Sequence, residues 1–211
     1  VTIAREGGRS YGGESPVARD ERRRRQLLDA GLSIFGSVGF RAATVRGLCR
    51  EARVADRYFY EQFPTLEDLL LAVYAECVDR MMAAVVAELA ALPTDATTVV
   101  RASRGLDAFF GVTENPLLAR VVWLEVLGVS PRVDRLYLDT LNRFGDLLLS
   151  QMRADQQAPV DEAERRVLAT AAVGGIRQTG TAWLIDGYTT DRRVLVAAST
   201  RFLVAIAESD H

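Results

Sequence analysis

Between successive proline and glycine breaks, the apolar residues of this chain recur three and four positions apart, which is one face of a 3.6-residue helix. No segment of strict two-residue alternation is long enough for a strand. The reading is all-α, with about nine helices.

The first helix is expected to begin between Pro16 and Asp20 and to run to about Val38, with Leu27, Gly31, Ile34, Phe35 and Val38 on one stripe. Gly39 is placed to end it in a left-handed conformation. Thr44 caps a two-turn second helix whose stripe is Val45, Leu48, Cys49 and Ala52. Arg53-Val54 makes a tight connection to a third short helix, about Asp56 to Gln62, with Phe59 and Phe63 inward and Pro64 as its breaker. Thr65 and Asp68 have capping-box spacing at the start of a long fourth helix. Its stripe of Leu66, Leu70, Val73, Cys77, Met81 and Val85 reaches about Ala91. Further helical patterns cover about 96–113, 116–128, 132–156, 161–186 and 191–208. Their breaks are Asn115-Pro116, Ser130-Pro131, Ala158-Pro159 and Asp186-Gly187-Tyr188. Residues 1–18 read as a disordered tail, 19–64 as one domain and 65–211 as a second.

Composition excludes several classes of function. The chain has 211 residues, two cysteines (Cys49 and Cys77) and one histidine, His211. A disulfide framework, a four-ligand zinc site and a histidine triad are therefore not expected. No catalytic residues, metal or cofactor are expected either. No apolar run approaches the ~18 residues of a membrane span, and Val1 to Gly13 lacks the apolar core of a signal peptide. The expectation is a cytoplasmic protein without a membrane partner. Both cysteines read as small core residues.

All 26 cations are arginine. The net charge of −2 divides unevenly, with +4 on residues 1–63 and −6 on residues 64–211. A basic first third suggests an anion-binding module, with nucleic acid as the leading candidate. Two short helices behind a basic helix form a helix-turn-helix candidate, whose second helix would lie in the major groove. Val45, Leu48, Ala52, Val54, Phe59 and Phe63 would pack inward, leaving Arg46, Arg50, Arg57, Tyr58, Tyr60 and Gln62 outward. Arg22 to Arg25 read as a solvated helix start.

The stretch from Gly39-Phe40 through Thr44-Val45 to Phe59-Tyr60-Glu61-Gln62-Phe63-Pro64 resembles the N-terminal domain of TetR-family repressors. With the preceding helix the likeness covers about residues 20–80. The resemblance implies that Thr44 and Arg46 lie near a phosphate. It implies that Ala55, Asp56, Arg57 and Tyr58 open the recognition helix against bases or backbone. Tyr60 would touch phosphate through its hydroxyl, and Gln62 stands where the family often has a histidine. Three departures matter: Arg53 replaces the usual turn glycine, Ala55 the usual cap, and Leu66 the usual lysine. Asp56 is then the alternative cap.

The resemblance further implies that the C-terminal domain binds an effector and dimerises. The dimer element would be the helices at about 161–186 and 191–208, with Ala169, Ala172, Val173, Ile176, Leu195, Ala198, Phe202 and Ile206 at the contact. Polar residues inside apolar helices mark candidate effector contacts: Glu125, Asn142, Arg177 and Gln178. Phe109, Phe110, Trp123, Tyr137, Phe144 and Trp183 supply candidate aromatic walls. The alternative for Glu125 is a salt bridge to a nearby arginine, and for each aromatic it is ordinary core packing. The expectation is a homodimeric repressor of a near-palindromic double-stranded operator, released by a small lipophilic effector. The alternatives are a ligand-binding protein that has lost DNA binding, and a regulator with no small-molecule effector.

Overall fold

The computed structural model describes residues 15–151 and 161–208. Among these residues there are nine α-helices and no strand. They are α1 (Pro16–Ser37), α2 (Val45–Ala52), α3 (Asp56–Gln62), α4 (Leu66–Ala90), α5 (Thr98–Thr113), α6 (Pro116–Trp123), α7 (Pro131–Ser150), α8 (Glu162–Ile185) and α9 (Arg192–Glu208). The tail expected over 1–18 lies outside the described residues up to position 14. Its last residues differ from expectation, because Ser15 caps α1 through the Ala18 N–H and Pro16 is already helical. The expected extension of the seventh helix to 156, and the break at Ala158-Pro159, also lie outside the described residues.

Local chemistry sets the joints. The Thr44 hydroxyl accepts the Gly47 N–H at 3.1 Å and starts α2. Arg53 then takes a left-handed conformation (φ 56°, ψ 41°), and the Val54 N–H closes back on the Cys49 carbonyl at 3.0 Å. This is a conformation that costs a residue with a Cβ. The turn keeps its shape with arginine where glycine would be unstrained. Thr65 and Asp68 form the expected capping box at the head of α4.

Two elements depart from the sequence reading. A short 3-10 turn, Phe40–Ala42, sits between α1 and α2. The helix expected over 116–128 ends at Trp123. It ends there because Glu125 turns back toward α1, and Gly128 follows at φ +72°.

Helices α1–α3 form a small head on the first turns of α4. The head has no core of its own. Leu27, Phe35, Leu48, Phe59 and Leu69 are fully buried in one cluster that continues through Leu118, Val121 and Val126, on α6 and just beyond it. A second, smaller core joins α5, α8 and α9 around Phe110, Ile176, Trp183 and Leu195.

The run Arg22 to Arg25 is not simply a solvated helix start. The Arg23 guanidinium lies 3.7 Å from the Tyr58 ring centroid and that of Arg24 4.6 Å from the Phe63 ring. Arg25 pairs with Glu76 on α4. Three of the four arginines thus hold α1 against α3 and α4, and the fourth, Arg22, donates to Gln26.

Helices α1 and α6 approach closely at Gly36, where a Cβ would lie 2.6 Å from the Leu117 backbone. Gly36→Ala is expected to force the two helices apart and destabilise the chain by about 1–3 kcal/mol. A lower urea midpoint with an unchanged denaturant slope is the expected reading.

Candidate functional site

Two candidate sites stand apart in the fold, one on α2 and α3 and one among α4 to α9. The first is the outer face of α2 and α3. Thr44, Arg46, Arg50, Ala55, Asp56 and Arg57 are all exposed there. Arg41, Arg46, Arg50 and Arg53 make no ion pair among the described residues, so this face carries unneutralised positive charge. Tyr60 is 60% exposed and stands off the buried Phe59 ring. Gln62 is half-buried.

The opening of α3 differs from expectation. Ala55 holds the cap position with no side-chain cap bond, and Asp56 is the first helical residue. Asp56 therefore does not replace the missing cap. Its charge sits at the positive end of the helix and close to Cys49. Burial, with the Asp56 carboxylate adding to it, pushes the Cys49 thiol up to about 11. Burial likewise pushes Cys77 up to about 12. Neither thiol has the lowered pKa of a reactive cysteine.

Tyr58 is half-buried between two guanidinium groups. Arg23 covers its ring, and Arg57 donates to its hydroxyl at 2.7 Å. Arg57 is thus held along the surface of α3 in the unbound protein. To reach a base edge it must exchange the Tyr58 hydroxyl for the base.

The second site is a cavity of about 190 Å³ enclosed by α4 to α9. Of the aromatic candidates, Phe109, Trp123, Tyr137 and Phe144 line it, as does Arg177. Phe110 and Trp183 do not. Their rings pack edge to face at 5.9 Å in the second core, and the Trp183 indole N–H donates to the Thr190 carbonyl at 2.7 Å. Asn142 and Gln178 are exposed on outer faces. Sequence reasoning missed the hydroxyl pair Tyr74 and Thr140, together with Arg101, Gln151 and Arg165 at the far end of the cavity. Burial pushes the Tyr74 phenol up to about 12, against the opposing effect of Thr140.

Glu125 is the clearest correction, because it lies at the junction with the head and not in the cavity. Its carboxylate accepts the Phe40 N–H at 2.8 Å and the Arg120 Nε–H at 2.9 Å. The salt bridge is the reading that holds. Gly39 (φ +93°) makes room for it, since a Cβ there would lie 2.9 Å from the carboxylate.

The expected dimer residues divide in the same way. Ala169, Ala172, Val173, Ile176 and Ile206 turn inward and line the cavity, and Leu195 is buried in the second core. Only Ala198 and Phe202 face outward, Phe202 being 44% exposed. A different stripe of α8 is outward: Val167, Ala171, Gln178, Ala182 and Ile185.

Among the described residues no group of His, Cys, Asp and Glu is arranged to hold a metal, and no helix is long and apolar enough to cross a membrane.

Residues 27–73 match the family model described as bacterial regulatory proteins, tetR family. This segment runs from α1 into α4 and contains the whole helix-turn-helix. The helix-turn-helix segment carries the pattern of the TetR family of transcriptional regulators. The chain is 28% identical over 160 residues to the HTH-type transcriptional regulator BetI of Rhizobium meliloti (strain 1021), covering 74% of this chain and 76% of that one. A BetI regulator from Cronobacter sakazakii is 29% identical over 168 residues, 78% of this chain and 76% of that one. Among solved structures, the fatty acid degradation regulator FadR of Bacillus halodurans superposes with a TM-score of 0.73 at 19% identity, over 91% of this chain and 96% of that one. FadR of Bacillus subtilis, solved in complex with stearoyl-CoA, superposes at 0.71 and 20% identity, over 89% and 99%. At these identities the structural likeness establishes the fold.

Glu125→Ala leaves the Phe40 N–H and the Arg120 guanidinium without their partner at a largely buried junction, where the Glu125 side chain is 12% exposed. The expected cost is about 1–3 kcal/mol. It would be read from the denaturation midpoint, with faster hydrogen exchange at the Phe40 amide.

Proposed function

We propose that this chain is a TetR-family regulator that represses transcription as a homodimer and leaves its operator when an apolar small molecule fills the cavity. The observation that carries this reading is the position of α6 between the two sites. Trp123, at its end, lines the cavity and packs against α8 at Gly180, where a Cβ would lie 2.5 Å from the indole. Two residues on, Glu125 holds the head by the Phe40 N–H. The Trp123 indole is pinned between the cavity and a glycine, so a ligand that displaces it moves α6 and, with α6, the head.

The cavity itself favours an apolar occupant. Its wall is overwhelmingly apolar, so an apolar occupant gains roughly 25 cal/mol for each Å² of that wall it takes from water. A cavity walled by leucine, isoleucine and phenylalanine stays dry until an apolar ligand enters. Bacillus subtilis FadR, which shares the fold, is solved in complex with stearoyl-CoA, and a long-chain ligand of that kind is in keeping with an apolar occupant here.

The second copy is proposed to dock on the outward stripe of α8 together with Val194, Ala198 and Phe202 of α9. Val167 (66% exposed), Ile185 (71%) and Val194 (58%) are large apolar side chains left in water by the single chain. Gly174, in the same stripe, has open space where a Cβ would be, which suits close helix packing. Two heads presented by a two-fold axis read a near-palindromic operator. Thr44, Arg46 and Tyr60 are assigned to phosphate. Arg57, with Ala55, Asp56 and Tyr58 around it, is assigned to bases or backbone, and Gln62 to phosphate.

The test is binding of the full chain to DNA flanking its own gene, measured by fluorescence anisotropy at two salt concentrations. Specific binding that weakens with salt is expected. Arg46→Ala and Arg50→Ala should weaken specific and random DNA alike, each lowering the salt slope by about one, whereas Arg57→Ala should erode the preference for the operator. Binding to the flanking DNA no tighter than to random sequence would count against the operator reading. Sedimentation of Ile185→Glu as a monomer, against a dimeric parent, checks the assigned face.

A further inference from the structure

Among the described residues, the wall of the cavity carries three arginines (Arg101, Arg165 and Arg177) and no aspartate or glutamate. Glu125, the one acid on the nearby segment, is turned away to the Phe40 N–H and Arg120. A cavity of this kind repels cationic lipophiles, which need a carboxylate or an uncompensated aromatic cage.

The three arginines are not equivalent. Arg101 commits its donors to the carbonyls of Pro93, Thr94 and Ala96 and to the Gln151 side chain, closing the loop between α4 and α5. Arg165 pairs with Glu162 at 3.8 Å. Arg177 has no ion pair or side-chain hydrogen bond among the described residues. Its guanidinium is half-buried with its centre 5.9 Å from the Tyr137 ring centroid. A half-buried fork of five donors without an acceptor is an anion site awaiting its anion.

From Arg177 the wall of α8 runs through Ile176, Val173, Ala169 and Leu168 to Arg165. That is twelve helical steps, roughly 18 Å, with apolar residues at each wall position between the two arginines. This is the length of an extended long-chain alkyl group, and it begins at the uncommitted cation.

We propose that the effector is a single-chain amphiphile with an anionic group, held by Arg177 while its alkyl chain lies along α8. The inference rests on the reading of the cavity as the effector site. The anion can be a free carboxylate or the phosphates of an acyl thioester; the shared chemistry is a negative group at the end of a long alkyl chain.

The test uses the full chain and four probes of one chain length below their micelle concentrations: palmitate, palmitoyl-CoA, hexadecanol and hexadecyltrimethylammonium. Binding is read by calorimetry. At least one of the two anions should bind about tenfold to a hundredfold more tightly than the alcohol, as charge-assisted bonds require. The cation should bind more weakly than the alcohol. Whichever anion binds more tightly identifies the headgroup. Arg177→Gln should remove the anion's advantage and leave the alcohol's affinity and the operator affinity within about twofold. Arg177→Lys should restore part of the advantage, and Arg165→Gln should leave it intact. Equal binding of all four probes, or a preference for the cation, would overturn the charge assignment while leaving the cavity as the effector site. Loss of anion preference in Arg165→Gln, with none lost in Arg177→Gln, would overturn the anchor. Binding of none of the four would remove the effector reading and this proposal together.

Discussion

The Phe40 N–H donated to the Glu125 carboxylate is the contact on which the rest of this structure turns. Helices α1–α3 share one buried cluster with α4 and α6, and the head therefore uses α6 as a wall. Gly36 lets the Leu117 backbone come close, and Gly39 leaves space for the carboxylate. Arg120 neutralises that carboxylate from the same short helix. A head built in this way cannot reorient independently of α6. Trp123, two residues before Glu125, stands in the cavity wall. The outer face of α2 and α3 and the cavity are therefore two surfaces of one packed unit. A core of this density passes on displacement rather than absorbing it.

Exclusive use of arginine gives the chain one cationic shape for three tasks. On α1 the guanidinium planes lie over Tyr58 and Phe63 and serve packing. On α2 and the following turn they stand unpaired toward solvent, where phosphate would meet them. In the cavity, Arg101 is fully occupied by backbone carbonyls while Arg177 is not. It is the occupation of the donors, more than the residue type, that separates structure from recognition.

Much of the fold was legible in the sequence because caps and breakers act locally. Thr44, Thr65 with Asp68, Pro64 and Asn115-Pro116 each fix a helix end through their own backbone chemistry, and the ends fall where those residues stand. The helix-turn-helix was legible for the same reason, and also because its motif is dense. The body was less so. Helix α8 has alanine, valine and isoleucine on more than one side, and a stripe of alanines does not say which side meets a cavity and which meets water. Ala169, Ala172 and Ile176 face inward, and Ala171, Ala182 and Ile185 outward, at a register that only tertiary packing decides. Glu125 was misread for a related reason. A carboxylate within Val121-Val122-Trp123-Leu124 looks like a pocket group, but its partner, Phe40, is 85 residues away and unmarked in the sequence.

The central claim is that cavity and reading face share one free energy through α6. The measurement that addresses it most directly is a linkage cycle. Operator affinity is determined with and without saturating ligand, and ligand affinity with and without saturating operator, in the parent chain and in Glu125→Ala. The account predicts that the two factors are equal in the parent, since coupling is reciprocal. It also predicts that they fall together toward one when the Phe40 N–H loses its acceptor. A ligand that binds the cavity with the same affinity whether or not operator is present would contradict it. So would a coupling factor left unchanged in Glu125→Ala.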